Sequence, residues 1–285
     1  MDIKIENLNH TYMPGSPLSH VALHDVNLEI KTGSFVGLIG HTGSGKSTLI
    51  QHLNGLLKPT EGRILVNGKD ITLDKHGLRQ LRFDVGLVFQ YPEYQLFDET
   101  VEADIAYGPR NMELSDEEIN ERVKEAIGYV GIDPSLLSKS PFELSGGQKR
   151  RVAIAGILAM RPKVLILDEP TAGLDPKGRD DMLGSISRLH KEQGLTVILV
   201  SHSMEDVAKV CHRVIVMKDG TVAMEGSVSQ VFSRGKELEQ MNLAVPQITR
   251  LAAKLRDMGY PLPDDIYTTQ QAHEAILALA KGKLK

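Results

Sequence analysis

Phe35-Val36-Gly37-Leu38-Ile39-Gly40-His41-Thr42-Gly43-Ser44-Gly45-Lys46-Ser47 is the stretch that decides the fold. The apolar run Phe35 to Ile39 reads as a buried strand. It enters Gly40 to Ser47, which fits the phosphate-loop pattern GxxxxGK[ST]. A helix is predicted next, over 47–57. Strand, glycine-rich loop and helix are the context the motif requires. Its glycines let backbone N–H groups converge on phosphate oxygens, and the helix start adds a positive dipole end. Lys46 is then expected to reach the β- and γ-phosphates, and the Ser47 hydroxyl to ligate Mg²⁺.

Further buried strands are read at Val85–Phe89, Val164–Leu167, Thr196–Val200 and Val214–Met217, with helical stretches between most of them. That alternation predicts a largely parallel sheet covered by helices. Ile3–Leu8 and Ala22–Ile30 read as two more strands, joined by the turn-rich Pro14-Gly15-Ser16-Pro17. The run Val164–Leu167 ends in Asp168-Glu169. Acids at the carboxyl end of a buried strand come to lie beside the phosphate loop in a doubly wound sheet. Asp168 is expected to hold Mg²⁺, and Glu169 to orient and polarise the attacking water. A second metal carboxylate or a solvated charge is the alternative for Glu169. Phosphoryl transfer asks mainly for positioning and charge neutralisation, which such a set supplies. Gln90 follows a strand, where an amide can accept from a metal-bound water and donate toward phosphate. Taken alone, however, Gln90 reads as a surface-loop residue and His202 as a structural histidine. Tyr12 could stack on adenine, but alone it reads as a sheet-face aromatic.

Leu144-Ser145-Gly146-Gly147-Gln148 is a second glycine-rich segment opening a helix. It lacks a lysine and so cannot be a second phosphate loop. Between Glu99 and Ala159 the strand signal fades. Ser115-Asp116-Glu117-Glu118 reads as a capping box opening a helix through Val130, and Ser145 to Gln148 has the same form. Residues 95–158 are therefore read as a helical subdomain inserted into a sheet domain spanning 1–235. In the C-terminal extension, 236–285, Ile248, Leu251, Ala252, Leu255 and Met258 share one helical face. Pro261-Leu262-Pro263 ends that helix, and Thr268 with Gln271 caps another. Two short amphipathic helices can hardly form a core alone, so the extension is expected to dock on its own sheet domain or, by preference, on a second chain.

The 285 residues are 41% apolar and 25% charged, ordinary for a globular protein with a sizeable core. A net charge of −4 disfavours a nucleic-acid partner held by a broad basic surface. Cys211 is the only cysteine, which excludes an intrachain disulfide and a cysteine-rich zinc site. It reads as a small packing residue, and a reducing cytosol fits. No apolar run approaches the roughly 20 residues that span a bilayer, and the N-terminus lacks a signal-peptide core. Work at a membrane would need another protein to hold the chain there.

Tyr12, the loop at 40–47, Gln90, Leu144 to Gln148, Asp168-Glu169, Gly173-Leu174-Asp175 and His202, in that order, resemble the motif series of ATP-binding cassette (ABC) ATPases over nearly all of residues 3–235. The resemblance implies an α/β P-loop nucleotide-binding domain. This has a RecA-like, largely parallel core, antiparallel strands and an inserted helical subdomain, here with a small C-terminal helical extension. ATP and Mg²⁺ are the implied ligands. Tyr12 and Gly40, His41, Thr42, Gly43, Ser44, Gly45, Lys46, Ser47 and Thr48 would bind ATP. Ser47, Gln90 and Asp168 would serve Mg²⁺. Glu169 would be the catalytic carboxylate, His202 the γ-phosphate switch and Gln90 the lid glutamine. Leu144, Ser145, Gly146, Gly147 and Gln148 would act on ATP held by the opposite chain, and Asp175 would communicate across the dimer.

The segments 89–97, 99–101, 104–109, 151–156 and 168–177, with Val245-Pro246 in the tail, resemble ATPases of energy-coupling factor (ECF) vitamin and metal importers. Gly40-His41-Thr42 and the 12–21 connector look more like the second of the two ATPases such importers use. The resemblance implies a peripheral location on the cytoplasmic face of the cell membrane. It also implies three kinds of partner: a related ATPase chain, a transmembrane coupling subunit and a substrate-binding membrane subunit. Tyr91, Glu93, Tyr94, Phe97, Asp98 and Glu99 would form an acidic, aromatic groove for a basic helix of the membrane partner. A cobalt or nickel importer ATPase would look similar. A soluble ABC ATPase of DNA repair or ribosomes usually carries coiled coils, zinc modules or two cassettes, which this chain lacks. Lys46, Glu169 and His202 count against a partner that binds ATP without hydrolysing it. Substrate choice is expected to reside in another chain.

Overall fold

The computed structural model describes residues 1–71 and 75–282. Strands β1 (Ile3–Tyr12) and β2 (His20–Ile30) precede β3 (Phe35–Gly40), the phosphate loop and α1 (Lys46–Leu53). Then come β4 (Glu61–Val66), β5 (Lys69–Asp70), α2 (Lys75–Asp84) and β6 (Val85–Val88). A short 3₁₀ turn, Pro92–Gln95, leads into α3 (Val101–Asn111), α4 (Asp116–Val130) and α5 (Gly146–Leu158). The chain returns through β7 (Val164–Asp168), α6 (Pro176–Gln193), β8 (Thr196–Val200), α7 (Met204–Val210), β9 (Arg213–Lys218) and β10 (Thr221–Ser227). It closes with α8 (Val228–Phe232), α9 (Gly235–Gln240), α10 (Gln247–Asp257) and α11 (Thr269–Ala280).

Among the described residues the strands form two sheets, ordered β10-β9-β3-β8-β7-β6 and β2-β1-β4-β5. The first is parallel except for the antiparallel β9–β10 hairpin at its edge, and the second is antiparallel. The parallel strands are continuous apolar runs because both of their faces are covered. Alternate residues serve the two faces. Leu165, Leu167, Val197 and Leu199 join a core with α3 to α7, whereas Val164, Ile166, Ile198 and Val200 pack with α1 and β1.

Several boundaries differ from the sequence expectation. β1 runs on to Tyr12 and β2 begins at His20, so these two residues are cross-strand partners. α1 stops at Leu53 rather than 57, where Gly55 turns the chain with φ 70°. The sequence reading has no counterpart for β4, β5, α2 or β10. β4 buries Ile64 alone and β10, an edge strand, only Met224, so neither has more than a three-residue apolar run, Ile64–Val66 or Val222–Met224. Ser115 caps α4 by accepting from the Glu118 N–H, but the Glu118 carboxylate holds Arg122 instead of closing a capping box. Around Ser145 and Thr268 the full boxes form.

The extension corrects another expectation. α10 and α11 do form a small core of their own, built from Ala252, Leu262, Ile266, Ala272 and Ala275. Leu238, Leu243 and Val245 belong to the main core, and the Gln247 N–H donates to Glu205. On the predicted apolar face of α10, Ala252 is buried, but Leu251 and Met258 are 48% and 72% exposed.

Candidate active site

The phosphate loop is pressed between β9 and β2. A Cβ on Gly40 would stand 2.5 Å from both the Met217 carbonyl and Ser44 Oγ. Gly45, at φ 97°, would bring one within 2.8 Å of the Ala22 carbonyl. The β9–β10 turn supports the loop from outside, with the Gly220 N–H donating to the Ser44 carbonyl and Asp219 Oδ1 lying 3.5 Å from His41 Nε2. Lys46 is buried, and its Nζ donates to the carbonyls of Gly40 (2.6 Å) and His41 (3.0 Å). Burial lowers its pKa, and the charges of Glu169 and Asp168 oppose that shift.

A cavity of about 420 Å³ opens over this loop. Lys46, Ser47, Gln90, Asp168, Glu169 and His202 line one part of it, and Thr42, Gly43, Gly45 and Thr48 line the loop side. Tyr12 lines it too, with its hydroxyl 3.3 Å from that of Thr48. Gly40 and Ser44 are buried residues of the loop, and His41 turns to Asp219; none of the three lines the cavity. His20 and Ala22 do, although the sequence reading passed over both. The antiparallel register brings His20 opposite Tyr12, information that no local pattern contains.

Asp168 and Glu169 leave the carboxyl end of β7 in a desolvated setting. Burial raises the pKa of Asp168, with Lys46 opposing. Glu169 is pushed up to about 7 by burial, then by the neighbouring Asp168 charge. Glu169 has a left-handed backbone, φ 52°, and its N–H donates to the Val200 carbonyl at 3.0 Å. Its Oε1 is buried without a hydrogen bond and lies 3.6 Å from His202 Nε2. Burial, followed by the Lys46 charge, lowers the His202 pKa. Ser47, Gln90 and Asp168 offer a few oxygen donors at this end of the cavity. That fits Mg²⁺, which binds through one or two carboxylates and takes other ligands from nucleotide phosphates and water.

Ser145 and Gln148 close the capping box at the start of α5, and Leu144 is buried behind it. Gly146 and Gly147 have open space where a Cβ would stand. None of Leu144 to Gln148 lines this chain's own cavity. Asp175 caps α6, its Oδ1 accepting from the Gly178 N–H at 2.9 Å.

The segment after Gln90 is outward-facing in its aromatics. Tyr94 is 84% and Phe97 61% exposed, and Tyr91 and Phe142 are exposed as well. Glu93, Tyr94, Leu96, Pro141, Phe142 and Lys149 line a groove of about 210 Å³. Glu93 is not a free acid in it, which corrects the expectation of an open carboxylate for a membrane partner. Its carboxylate turns inward and accepts two hydrogen bonds from the buried guanidinium of Arg150. Asp98 is half-buried, and its Oδ1 accepts from the Glu99 N–H; Glu99 itself is exposed. The sequence reading missed Arg150. It sits four and eight residues before Ile154 and Leu158, on the same buried face of α5, and that spacing could have revealed it.

The family profile described as "ABC transporter" matches residues 23–172. The chain belongs to that family. Relatives similar over nearly the whole chain are named energy-coupling factor transporter ATP-binding protein EcfA2. The protein of that name from Clostridium perfringens is 60% identical over 283 residues, covering 99% of both chains. Another from Clostridioides difficile is 53% identical over 285 residues, again covering 99% of both. Among solved structures, cbiO1 from Clostridium perfringens, part of the ABC transporter complex cbiONQ, is 42% identical with a TM-score of 0.75. The alignment covers 89% of this chain and 98% of that one. A dimeric ATP-binding cassette in a post-hydrolysis state, bound to ADP and Pi, is 34% identical with a TM-score of 0.71, covering 79% of this chain and 98% of that one.

The desolvated Glu169 of this ABC ATPase has a stability consequence. A folded-state pKa of about 7, against an ordinary 4.5, means that the fold favours the protonated acid. The associated stability is present below the ordinary value and is lost as pH rises through 7. Without nucleotide and in EDTA, Glu169→Gln should gain stability relative to the parent by about 2 kcal/mol between pH 5 and pH 8. Urea midpoints at the two pH values measure this. An equal offset at both would show that the carboxylate is well solvated.

Proposed function

We propose that this chain is an ATP-hydrolysing subunit of an ECF-type importer, driving uptake of a vitamin or another micronutrient. It lies peripherally on the cytoplasmic face of the membrane. The observation that carries this reading is the convergence of Lys46, Ser47, Gln90, Asp168, Glu169 and His202 on one cavity, in a chain similar over 99% of its length to EcfA2 proteins. Bound Mg²⁺ would neutralise charge on the phosphates, held by Ser47 and Asp168 with Gln90 beside it. Lys46 adds positive charge at the same end. Glu169 orients water and accepts its proton, and His202 marks the γ-phosphate end. Tyr12 gives the adenine a face to stack on. Removing the carboxylate while keeping its shape tests this directly. Glu169→Gln should retain ATP binding and lower hydrolysis at this chain's site by about 10²–10⁴-fold. Unchanged turnover at that site would take Glu169 out of the role.

The chain works as one half of a pair. Ser145, Gly146 and Gly147 form a capped helix start that does not line this chain's own cavity and is suited to a phosphate held by another chain. Gly147→Asp finds open space, so the fold should tolerate it. The new charge should block ATP-driven association and leave nucleotide binding by the monomer intact. Collapse of monomer binding, seen by titration with a fluorescent ATP analogue, would mean that the segment serves its own site.

A second, related ATPase chain is the proposed partner, and the extension contributes to that contact. Leu251, Met258, Tyr260, Ile276 and Leu277 are 41% to 72% exposed on the small helical unit. Changing Leu251 and Met258 to Ser should weaken nucleotide-free association, read by sedimentation of the co-expressed pair. Unaltered sedimentation would place the contact elsewhere. No helix of the described residues is long and apolar enough to cross a membrane. Attachment is proposed to run through a transmembrane coupling subunit docked on the aromatic groove beside Tyr94 and Phe97. Substrate choice belongs to a further membrane subunit.

A further inference from the structure

Arg150 ties two other parts of the structure to α5 with one side chain. It stands in the first turns of α5, just past the Ser145–Gln148 cap, and is only 5% exposed. Its Nε and Nη2 donate to the two oxygens of Glu93 at 3.2 and 3.0 Å. Its Nη1 donates to the Pro170 carbonyl at 3.3 Å and to the Ala172 carbonyl. Pro170 and Ala172 belong to the turn that follows Glu169, closed by the Ala172 N–H donating to the Glu169 carbonyl at 3.1 Å. From the other side, Thr171 Oγ1 donates to the buried Asp206 of α7 at 2.7 Å.

That turn carries a constraint. Glu169 is a non-glycine residue in the left-handed region, which persists only where its surroundings over-determine it. The two carbonyls held by Arg150 are among those restraints. The other end of the same guanidinium holds the 3₁₀ turn Pro92–Gln95, which is entered through Tyr91, again left-handed at φ 57°. Tyr94 and Phe97, the exposed aromatics proposed above to meet the membrane subunit, stand on or just beyond that turn. A rigid planar fork with donors on both edges can tie two loops in fixed register, which an ammonium cannot.

We infer that Arg150 is a positioning residue for ATP hydrolysis, fixing the turn behind Glu169 and linking it, through Glu93, to the segment that meets the membrane partner. The inference rests on the catalytic and docking readings above. Displacing the 92–95 turn pulls on Glu93, and the guanidinium passes that movement to the Pro170 and Ala172 carbonyls.

The test uses the complete complex, purified from membranes through a tag on this chain. Glu93→Gln, Arg150→Lys and the double variant are compared for kcat and for the KM of ATP. Each single change should lower kcat by about 10- to 100-fold, with KM for ATP within about twofold of the parent. The double variant should be no worse than the poorer single, because the pair acts as one unit. Glu93→Asp, which keeps the charge, should recover part of the loss. Glu93→Gln is isosteric and carries the test if Arg150→Lys does not fold. An unchanged kcat overturns the inference. So do losses that multiply in the double variant, a KM that rises in step with the fall in kcat, or membrane subunits lost from the Glu93→Gln complex. A separate variant, Tyr94→Ala with Phe97→Ala, tests the docking reading. Full retention of the membrane subunits there would sink that reading, while the kcat of the Glu93 and Arg150 variants would still decide the positioning role.

Discussion

Four neighbouring parallel strands, β3, β8, β7 and β6, end at one edge of the sheet, and everything chemical in this chain depends on that edge. The phosphate loop leaves β3, His202 follows β8, Asp168 and Glu169 leave β7, and Gln90 follows β6. Register sets the depth: Leu38 pairs with Val200 on one side of β8, and Asp168 pairs with Val200 on the other. Strands lie about 4.8 Å apart, so adjacent carboxyl ends place their next residues within reach of one nucleotide.

Bringing Lys46, Asp168 and Glu169 to one partly dry edge carries an electrostatic cost. The carboxylates are held above their ordinary range and the ammonium below its own, because burial disfavours every charged form. Lys46 directs two of its donors to the loop's own carbonyls, which partly offsets that cost. The left-handed Glu169 adds a further cost of order 1–3 kcal/mol. Both costs sit where a polyanionic ligand with its cation would relieve them, a pattern expected of functional sites rather than of structural cores.

The helical subdomain converts that edge into a device with two outward surfaces. One is the capped Gly146-Gly147 start of α5, and the other is the groove lined by Tyr94, Phe142 and Lys149. Arg150, buried between them, is satisfied by a carboxylate and two backbone carbonyls, so its charge is both paired and hydrogen-bonded. Exposed aromatics and glycines at the surface are thus fastened to a rigid buried network.

The sequence by itself determined the strands of the parallel sheet, the phosphate loop, the acids at the end of β7 and the capped start of α5. Each is a local pattern whose physical meaning follows from neighbours in the chain. Gln90 and His202, weak when taken singly, were singled out by the resemblance of the whole motif series, and both line the cavity. Other features were decided only in three dimensions. Glu93 read as a free surface acid until Arg150, from a distant helix, claimed it. His20 entered the cavity through cross-strand register with Tyr12. β4 and β10 are held by pairing with β1 and β9. α10 and α11 form a small core in which Ala252 meets Leu262 and Ile266 of the connector between them, a closure that periodicity within one helix could not announce. Local pattern records which face of an element is apolar. Which partner covers that face, and which charge meets which, is set by contacts between segments far apart in sequence.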